Sequence, residues 1–136
     1  MLVILDTNVL LSALRTETTP PALILDAWRA GRFLLVTSSE QIDEFKRAAR
    51  YPKLRAILPR NAVGRVVNQL RATDLRLERL RRVGQSPDPG DDYLLAMAGA
   101  AGADFLVTGD RALLALRRIG GTKIVSPRRF AAIVVR

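Results

Sequence analysis

Two carboxylates in this chain follow apolar runs, one near each end. Asp6 directly follows the run LVIL, and Asp110 closes the segment FLVTGD. A carboxylate at the end of a buried strand contributes little to a hydrophobic core, and desolvation raises its pKa unless a cation compensates the charge. Carboxylates that are brought together raise one another's pKa further, so a cluster of them favours a bound divalent metal ion.

The sequence contains no Cys and no His. This absence excludes disulfide frameworks, thiolate nucleophiles, Ser-His-Asp triads and zinc sites built on His or Cys. An enzyme with this composition must work with carboxylates, hydroxyls, Lys and Arg, or with a metal ion held by oxygen ligands.

The charge of the chain indicates a polyanionic partner. Twenty-two Lys and Arg against 13 Asp and Glu give a formal net charge of +9, which attracts nucleic acid above all. A solubilising Arg-rich surface is the alternative. The 136 residues, 49% of them hydrophobic, suit one globular domain over residues 1–136. No apolar run is long enough to span a bilayer and no secretory signal is visible, so we expect a soluble cytoplasmic protein.

Strands and helices alternate along the chain and must position the two acids. Residues 2–5 read as a buried strand, and helical spacing follows at Val9, Leu10, Ala13 and Leu14. The sequence then predicts a helix from Thr19 to Gly31, strand 33–36, a helix opened by a Ser38 and Gln41 capping box, a helix over 63–70, a strand within 75–83, a helix from Leu94, strand 105–107, a helix over 113–116, strand 123–125 and a helix after Pro127.

This order predicts an α/β fold, a three-layer sandwich with a mostly parallel sheet of about five strands flanked by helices. Ligands bind beyond the carboxyl ends of such strands, where Asp6 and Asp110 would lie. Each acid could instead only cap the helix that follows it, as could Asp91 or Asp92. Glu40, Asp43 and Glu44 all lie early in their helix, and helical phase does not select among them.

Read together, these segments resemble the PIN-domain family of metal-dependent nucleases. The resemblance rests on DTNVLLSAL, on TSSEQIDEF followed by RYPKL, and on DPGDDYLLAMA, ADFLVTGDRALL and IVSPRRF. The chain is most similar to the bacterial subgroup of toxins from toxin-antitoxin pairs, related to VapC-type toxins.

The resemblance implies four acids converging at the carboxyl edge of the sheet, both as metal ligands and as catalytic groups: Asp6, Glu44, Asp92 and Asp110. It also implies that Asn8 and Thr108 steady the first acid and a metal-bound water. Asp92 fits the family spacing to Thr108 better than Asp91, although Asp91 could replace or assist it.

Carboxylate oxygens with retained waters suit one or two Mg²⁺ or Mn²⁺ ions. Such ions would lower the pKa of a bound water and stabilise charge on the leaving oxygen of a phosphodiester, so no histidine base is required. The resemblance implies an endoribonuclease whose products carry a 5′-phosphate and a 3′-hydroxyl, held inactive by an antitoxin and often a homodimer.

The positions that could bind RNA phosphates are basic and lie near the second and last motifs: Lys46, Arg47, Arg50, Lys53 and Arg111. A solvated charged face is the alternative interpretation. Two other functions remain open, a non-catalytic PIN-like domain that binds RNA or protein, and a Mg²⁺-dependent phosphatase of the haloacid-dehalogenase kind. The phosphatase would need an Asp where the chain has Asn8.

Overall fold

The computed structural model describes residues 1–73, 75–78 and 92–135. In chain order its elements are β1 (Leu2–Leu5), α1 (Thr7–Ala13), α2 (Pro20–Arg29), β2 (Leu34–Leu35), β3 (Thr37–Ser38), α3 (Ser39–Ala49), α4 (Pro52–Arg55), α5 (Arg60–Arg71), β4 (Arg76–Leu77), α6 (Asp92–Ala101), β5 (Phe105–Val107), α7 (Arg111–Leu116), β6 (Arg118–Ile119), β7 (Thr122–Val125) and α8 (Pro127–Val134).

The central sheet has five strands in the order β2-β1-β5-β7-β6. Its pairings are parallel except for the antiparallel pair of β6 and β7 at one edge. β1 lies inside the sheet, with Ile4 opposite Leu106 of β5, and Leu106 is opposite Ile124 of β7. A parallel sheet covered on both faces requires apolar residues at successive positions, which is why these strands read as continuous hydrophobic runs.

Helices cover both faces of the sheet. Val3 and Leu5 point into a core shared with α1, α2, α3, α5 and α8, where Phe45 and Phe130 are fully buried. Ile4, the residue between them, points to the opposite face and packs with α6 and with Leu113 of α7. Alternate residues of one strand thus enter two cores, and the predicted three-layer α/β sandwich is confirmed.

The structure adds three elements that the sequence interpretation did not include. The basic connection after the third helix contains the one-turn helix α4, which starts on Pro52 without a side-chain cap. β3 is the second added element, and it pairs in a separate two-stranded parallel sheet with β4, which lies within the strand predicted over residues 75–83. β6 forms a hairpin with β7 around Gly120, whose φ of 56° suits glycine. Residues 79–83 of the predicted strand and the loop at 86–91 lie outside the described residues.

Two further expectations can be compared with the structure. Within the described residues, no helix combines the length and the apolar character needed to cross a bilayer. The predicted capping box at Ser38 is only half present, because the Ser38 hydroxyl accepts the Gln41 backbone N–H but the Gln41 side chain turns away.

Candidate functional site

The carboxyl ends of three neighbouring strands form one edge of the central sheet. The backbone N–H of Asp6, just after β1, donates to the Val107 carbonyl at the end of β5 over 2.9 Å. The backbone N–H of Thr108, just after β5, donates in turn to the Val125 carbonyl at the end of β7 over 3.0 Å. The three strand ends are therefore locked in register, and the side chains that follow them meet at this edge.

Asp6 is buried at this edge, with only 6% of its surface exposed. Its Oδ2 accepts a 2.7 Å hydrogen bond from the Thr108 hydroxyl, and its Oδ1 accepts a 3.4 Å bond from the backbone N–H of Asn8. Burial raises the pKa of Asp6 and the charge of Asp110 raises it further, while the hydrogen bonds from Thr108, Asn8 and Thr7 oppose the rise. Asp6 therefore caps α1, and its negative charge is not fully compensated by the described residues around it.

Asp110 lies next to Asp6 and is connected to it through Thr108. The Thr108 hydroxyl, which donates to Asp6, accepts the backbone N–H of Asp110 over 3.0 Å. The Asp110 carboxylate accepts the Leu113 N–H over 3.0 Å and so caps α7. One carboxylate oxygen holds this helix start, so the alternative that Asp110 is a cap is correct without excluding a second role.

Asp92 begins α6 and is buried, with 7% of its surface exposed. The next residue, Tyr93, shares a 2.9 Å hydrogen bond through its hydroxyl with the hydroxyl of Thr7. Thr7 directly follows Asp6, so this bond attaches the start of α6, where Asp92 lies, to the start of α1. Asp91 lies outside the described residues.

Glu44 approaches the edge from α3. The Gln41 side chain on the same helix donates to the carbonyl of Leu5, the last residue of β1. Residues three apart share one side of a helix, so Glu44 lies on the side of α3 that faces this strand end. Asp43 and Glu40 are exposed, whereas Glu44 is partly buried and forms a 2.8 Å ion pair with Arg47. Glu44 thus differs from Asp43 and Glu40 in exposure and in its ion pair, and its role as a metal ligand stays a prediction.

A family model described as PIN domain matches residues 2–112. The chain belongs to the PIN-domain family. This match covers the elements that carry all four acids, and it argues against the haloacid-dehalogenase alternative. Among curated proteins, none matches the chain significantly. PIN domains are generally nucleases, and PIN-domain nucleases generally use divalent metal ions.

The oxygen ligands of this PIN domain suit a hard divalent ion. In the part of the chain that the structure describes, no three acidic side chains are close enough together to form a ready metal-binding group. Mg²⁺ retains several waters and is usually held by only one or two carboxylates, which the neighbouring Asp6 and Asp110 supply. Burial is the main cause of the raised pKa of Asp6, and a bound cation would favour the ionised form of this carboxylate.

The sequence interpretation did not identify the polar residues that hold α3 in place. Gln41 is fully buried, donates to Leu5 and accepts a 2.8 Å hydrogen bond from the Thr37 hydroxyl. Ser38, which caps the helix, also donates to the sulfur of Met97 on α6. The polar run TSSEQ was interpreted only as a capping box. A Gln on the buried face of a helix can also anchor that helix through hydrogen bonds to neighbouring elements.

The structure separates the basic residues that the sequence placed near the acids. Arg111 is exposed directly after Asp110, and Arg47 pairs with Glu44. Lys46 and Arg50 instead line a groove of about 520 Å³ between α3 and α5. At 100° per residue, Lys46 is about 160° from Glu44 around the helix, so this groove lies on the other flank of α3 from the acids. Lys53 is exposed on α4.

Proposed function

We propose that this PIN domain is a metal-dependent endoribonuclease. The single observation that carries the proposal is the buried Asp6 carboxylate at the carboxyl edge of the sheet, beside Asp110 and with a raised pKa. A chain that keeps an incompletely compensated carboxylate out of water loses stability by doing so, which is typical of a functional site. In a PIN domain, a divalent metal ion is the ligand that compensates this charge.

In this proposal Asp6 and Asp110 hold Mg²⁺ or Mn²⁺, one ion or two, with Asp92 and Glu44 contributing directly or through water. The ion would lower the pKa of a bound water and stabilise charge on the leaving oxygen of the phosphodiester. Thr108 fixes Asp6 by donating to its Oδ2, and this bond leaves Oδ1 available on the side of Asn8. The products would carry a 5′-phosphate and a 3′-hydroxyl.

A cleavage assay tests this proposal. Single-stranded and hairpin RNA oligonucleotides are incubated with Mg²⁺ or Mn²⁺ and the wild type, Asp6→Asn, Asp92→Asn or Glu44→Gln. Asp43→Asn is the matched control, because Asp43 is exposed on the same helix as Glu44. We expect cleavage by the wild type and the control, and its loss in the three other variants and in a chelator. Cleavage that survives both Asp6→Asn and the chelator would contradict the proposal.

We further propose that the domain acts in the cytoplasm as the toxin of a toxin-antitoxin pair, inhibited by an antitoxin protein and assembled as a homodimer. The similarity of the motifs to that subgroup supports this role. Induced expression of the wild type in a bacterial host is expected to arrest growth, and Asp6→Asn is expected to relieve the arrest. Sedimentation of the purified chain measures the dimer. Unimpaired growth at matched protein levels would contradict the toxin role.

A non-catalytic PIN domain that binds RNA or protein is the second candidate. The observation that favours it is that no three of the described acids come together as a group that could hold a metal ion. RNA binding by the wild type without cleavage, in either metal and on every substrate, would support this alternative. Stabilisation of the wild type by Mn²⁺, absent from Asp6→Asn, would favour the nuclease.

A further inference from the structure

Four exposed basic side chains surround a depression at the β6 edge of the sheet. The depression has a volume of about 650 Å³ and lies between the end of α7, the β6–β7 hairpin and the start of α8. We call it the hairpin basic surface. Its basic residues are Arg117, Arg118, Lys123 and Arg129.

Within the described residues, none of the four basic side chains of the hairpin basic surface forms an ion pair with an acid. The ion pairs of the described residues join Arg47 to Glu44 and Arg76 to Glu78, far from this surface in the chain. No acid lines the depression. Asp104 lies next to Lys123 in the backbone pairing, but its carboxylate accepts the Leu2 N–H. Four like charges that repel one another without compensation indicate an anionic ligand.

The hairpin basic surface reaches the sheet edge of the acids at one end, while its Lys123 lies opposite Phe105, the first residue of β5. Val125 ends β7 and Ser126 follows it, and the Val125 carbonyl accepts the backbone N–H of Thr108, whose hydroxyl holds Asp6. Adjacent strands are about 4.8 Å apart, so β7 and β6 lie roughly 10 and 14 Å from the strand that carries Asp6. For a stacked strand with the rise of duplex DNA, about 3.4 Å per nucleotide, this distance corresponds to about three or four nucleotides.

The backbone of Arg117 adds an independent observation. Arg117 has a φ of 62°, a conformation that non-glycine residues rarely adopt, whereas the nearby turn uses Gly120 for a φ of 56°. Arg117 is the C-cap of α7, where a left-handed residue is usually Gly, and its side chain carries one of the four charges of the surface.

We propose that the hairpin basic surface binds the phosphates of an RNA strand about three or four nucleotides from the bond that is cut. This inference rests on the proposed ribonuclease function and extends it to residues that the sequence did not select. The groove between α3 and α5 also carries basic residues, but its floor is aliphatic, with Ala49, Leu58, Val63 and Val67, and it lies on the other flank of α3 from Glu44. The hairpin basic surface is the one aligned with the acids.

Binding is measured by the anisotropy of a labelled single-stranded RNA of about 12 nucleotides in a chelator, so that cleavage does not interfere. The test variant is Arg117→Gln with Arg129→Gln. The control, Arg60→Gln with Arg71→Gln, removes the same charge from the groove between α3 and α5. Each phosphate contact on a single strand contributes about 0.7 to the slope of log affinity against log salt. Two lost contacts should lower the slope by about 1.4 and the affinity about 25-fold at 0.1 M salt.

The inference is supported if the test variant shows these losses, if the control loses clearly less, and if Arg117→Lys with Arg129→Lys restores binding at an unchanged melting temperature. Equal losses of RNA affinity in both variants would mean that only net charge matters. A larger loss in the control would place the RNA in the groove between α3 and α5. Either result overturns the inference. Unchanged RNA affinity in the test variant also overturns it and would leave an acidic protein segment as the fitting ligand.

A cleavage assay distinguishes failure of this inference from failure of the proposed nuclease function. If the wild type cuts RNA with Mn²⁺ and the test variant has the same KM, the inference fails and the nuclease stands. If the wild type does not cut RNA but the test variant loses binding, the nuclease fails and the RNA surface stands.

Discussion

The Asp6 carboxylate should destabilise the metal-free protein at neutral pH, so Asp6→Asn should stabilise it. Asn keeps an oxygen that accepts the 2.7 Å bond from Thr108, and Asn and Asp are equally good helix caps. Burial of an incompletely paired neutral polar group costs about 1–3 kcal/mol in mutational data, and burial of a charged group costs more. Asn loses one of the two acceptor oxygens, which offsets part of the gain. The net stabilisation should be about 1 kcal/mol, or about 3–5 °C in Tm for a domain of this size.

The pH dependence of this difference has a defined sign. The folded-state pKa of Asp6 is raised above the ordinary value of 3.8, so the folded state binds the proton more tightly than the unfolded state. The advantage of Asp6→Asn should therefore be absent below pH 3.8, where the wild type is protonated in both states. It should grow as the pH rises through the folded-state pKa and be complete at neutral pH.

Urea denaturation in a chelator at pH 7 and in acid measures the difference. Asp43→Asn, on an exposed site, should stay within about 0.5 kcal/mol of the wild type. Added Mn²⁺ should stabilise the wild type by mass action and leave Asp6→Asn unchanged. A wild type that is more stable than Asp6→Asn at pH 7 without metal would refute the reasoning, because the buried charge would then be compensated by the protein alone.

Three further substitutions test the contacts around the site. Gln41→Leu removes the donor to the Leu5 carbonyl and leaves that carbonyl without this partner, so unfolding in urea should show a loss of about 1–3 kcal/mol. Tyr93→Phe breaks the 2.9 Å bond to Thr7 and should cost about 1 kcal/mol by the same measurement, with a larger loss of cleavage than of RNA affinity. Arg117→Gly relieves a positive φ, so Tm should stay unchanged or rise. RNA affinity in the anisotropy assay should fall. A clear drop in Tm would contradict backbone strain at this residue.

The layers of this fold could be predicted from the sequence because the hydrophobic pattern of each central strand agrees with its position inside the sheet. Val3, Ile4 and Leu5 form an uninterrupted apolar run, which a strand buried on both faces requires, and the structure sends alternate residues into two cores. The short elements were harder to predict. β6 contains two residues, too few for a periodic pattern, although the Gly120 and Gly121 pair that follows it is a recognised hairpin signal.

The candidate site was predictable only where the chain direction alone determines position. Asp6 follows β1, and Asp110 lies shortly after β5, so a parallel sheet places both at one edge whatever their side chains do. Glu44 could not be separated from its neighbours in this way, because its position depends on a long-range hydrogen bond from Gln41 to the end of β1. No local pattern encodes that bond. Helical spacing separates Lys46 from Glu44 around α3, but only the packing of α5 shows that Lys46 lines a different groove.

One threonine connects the parts of the site. The Thr108 hydroxyl donates to Asp6 and accepts the backbone N–H of Asp110, while the Thr108 N–H donates to the end of β7, where the hairpin basic surface begins. Because this residue is fully buried, its three bonds cannot be replaced by water without opening the sheet edge. The spacing between the acids and the basic surface is therefore set by the rigid sheet and not by loops. A strand of RNA that engages both regions would meet a fixed distance, which favours cleavage at a defined position along it.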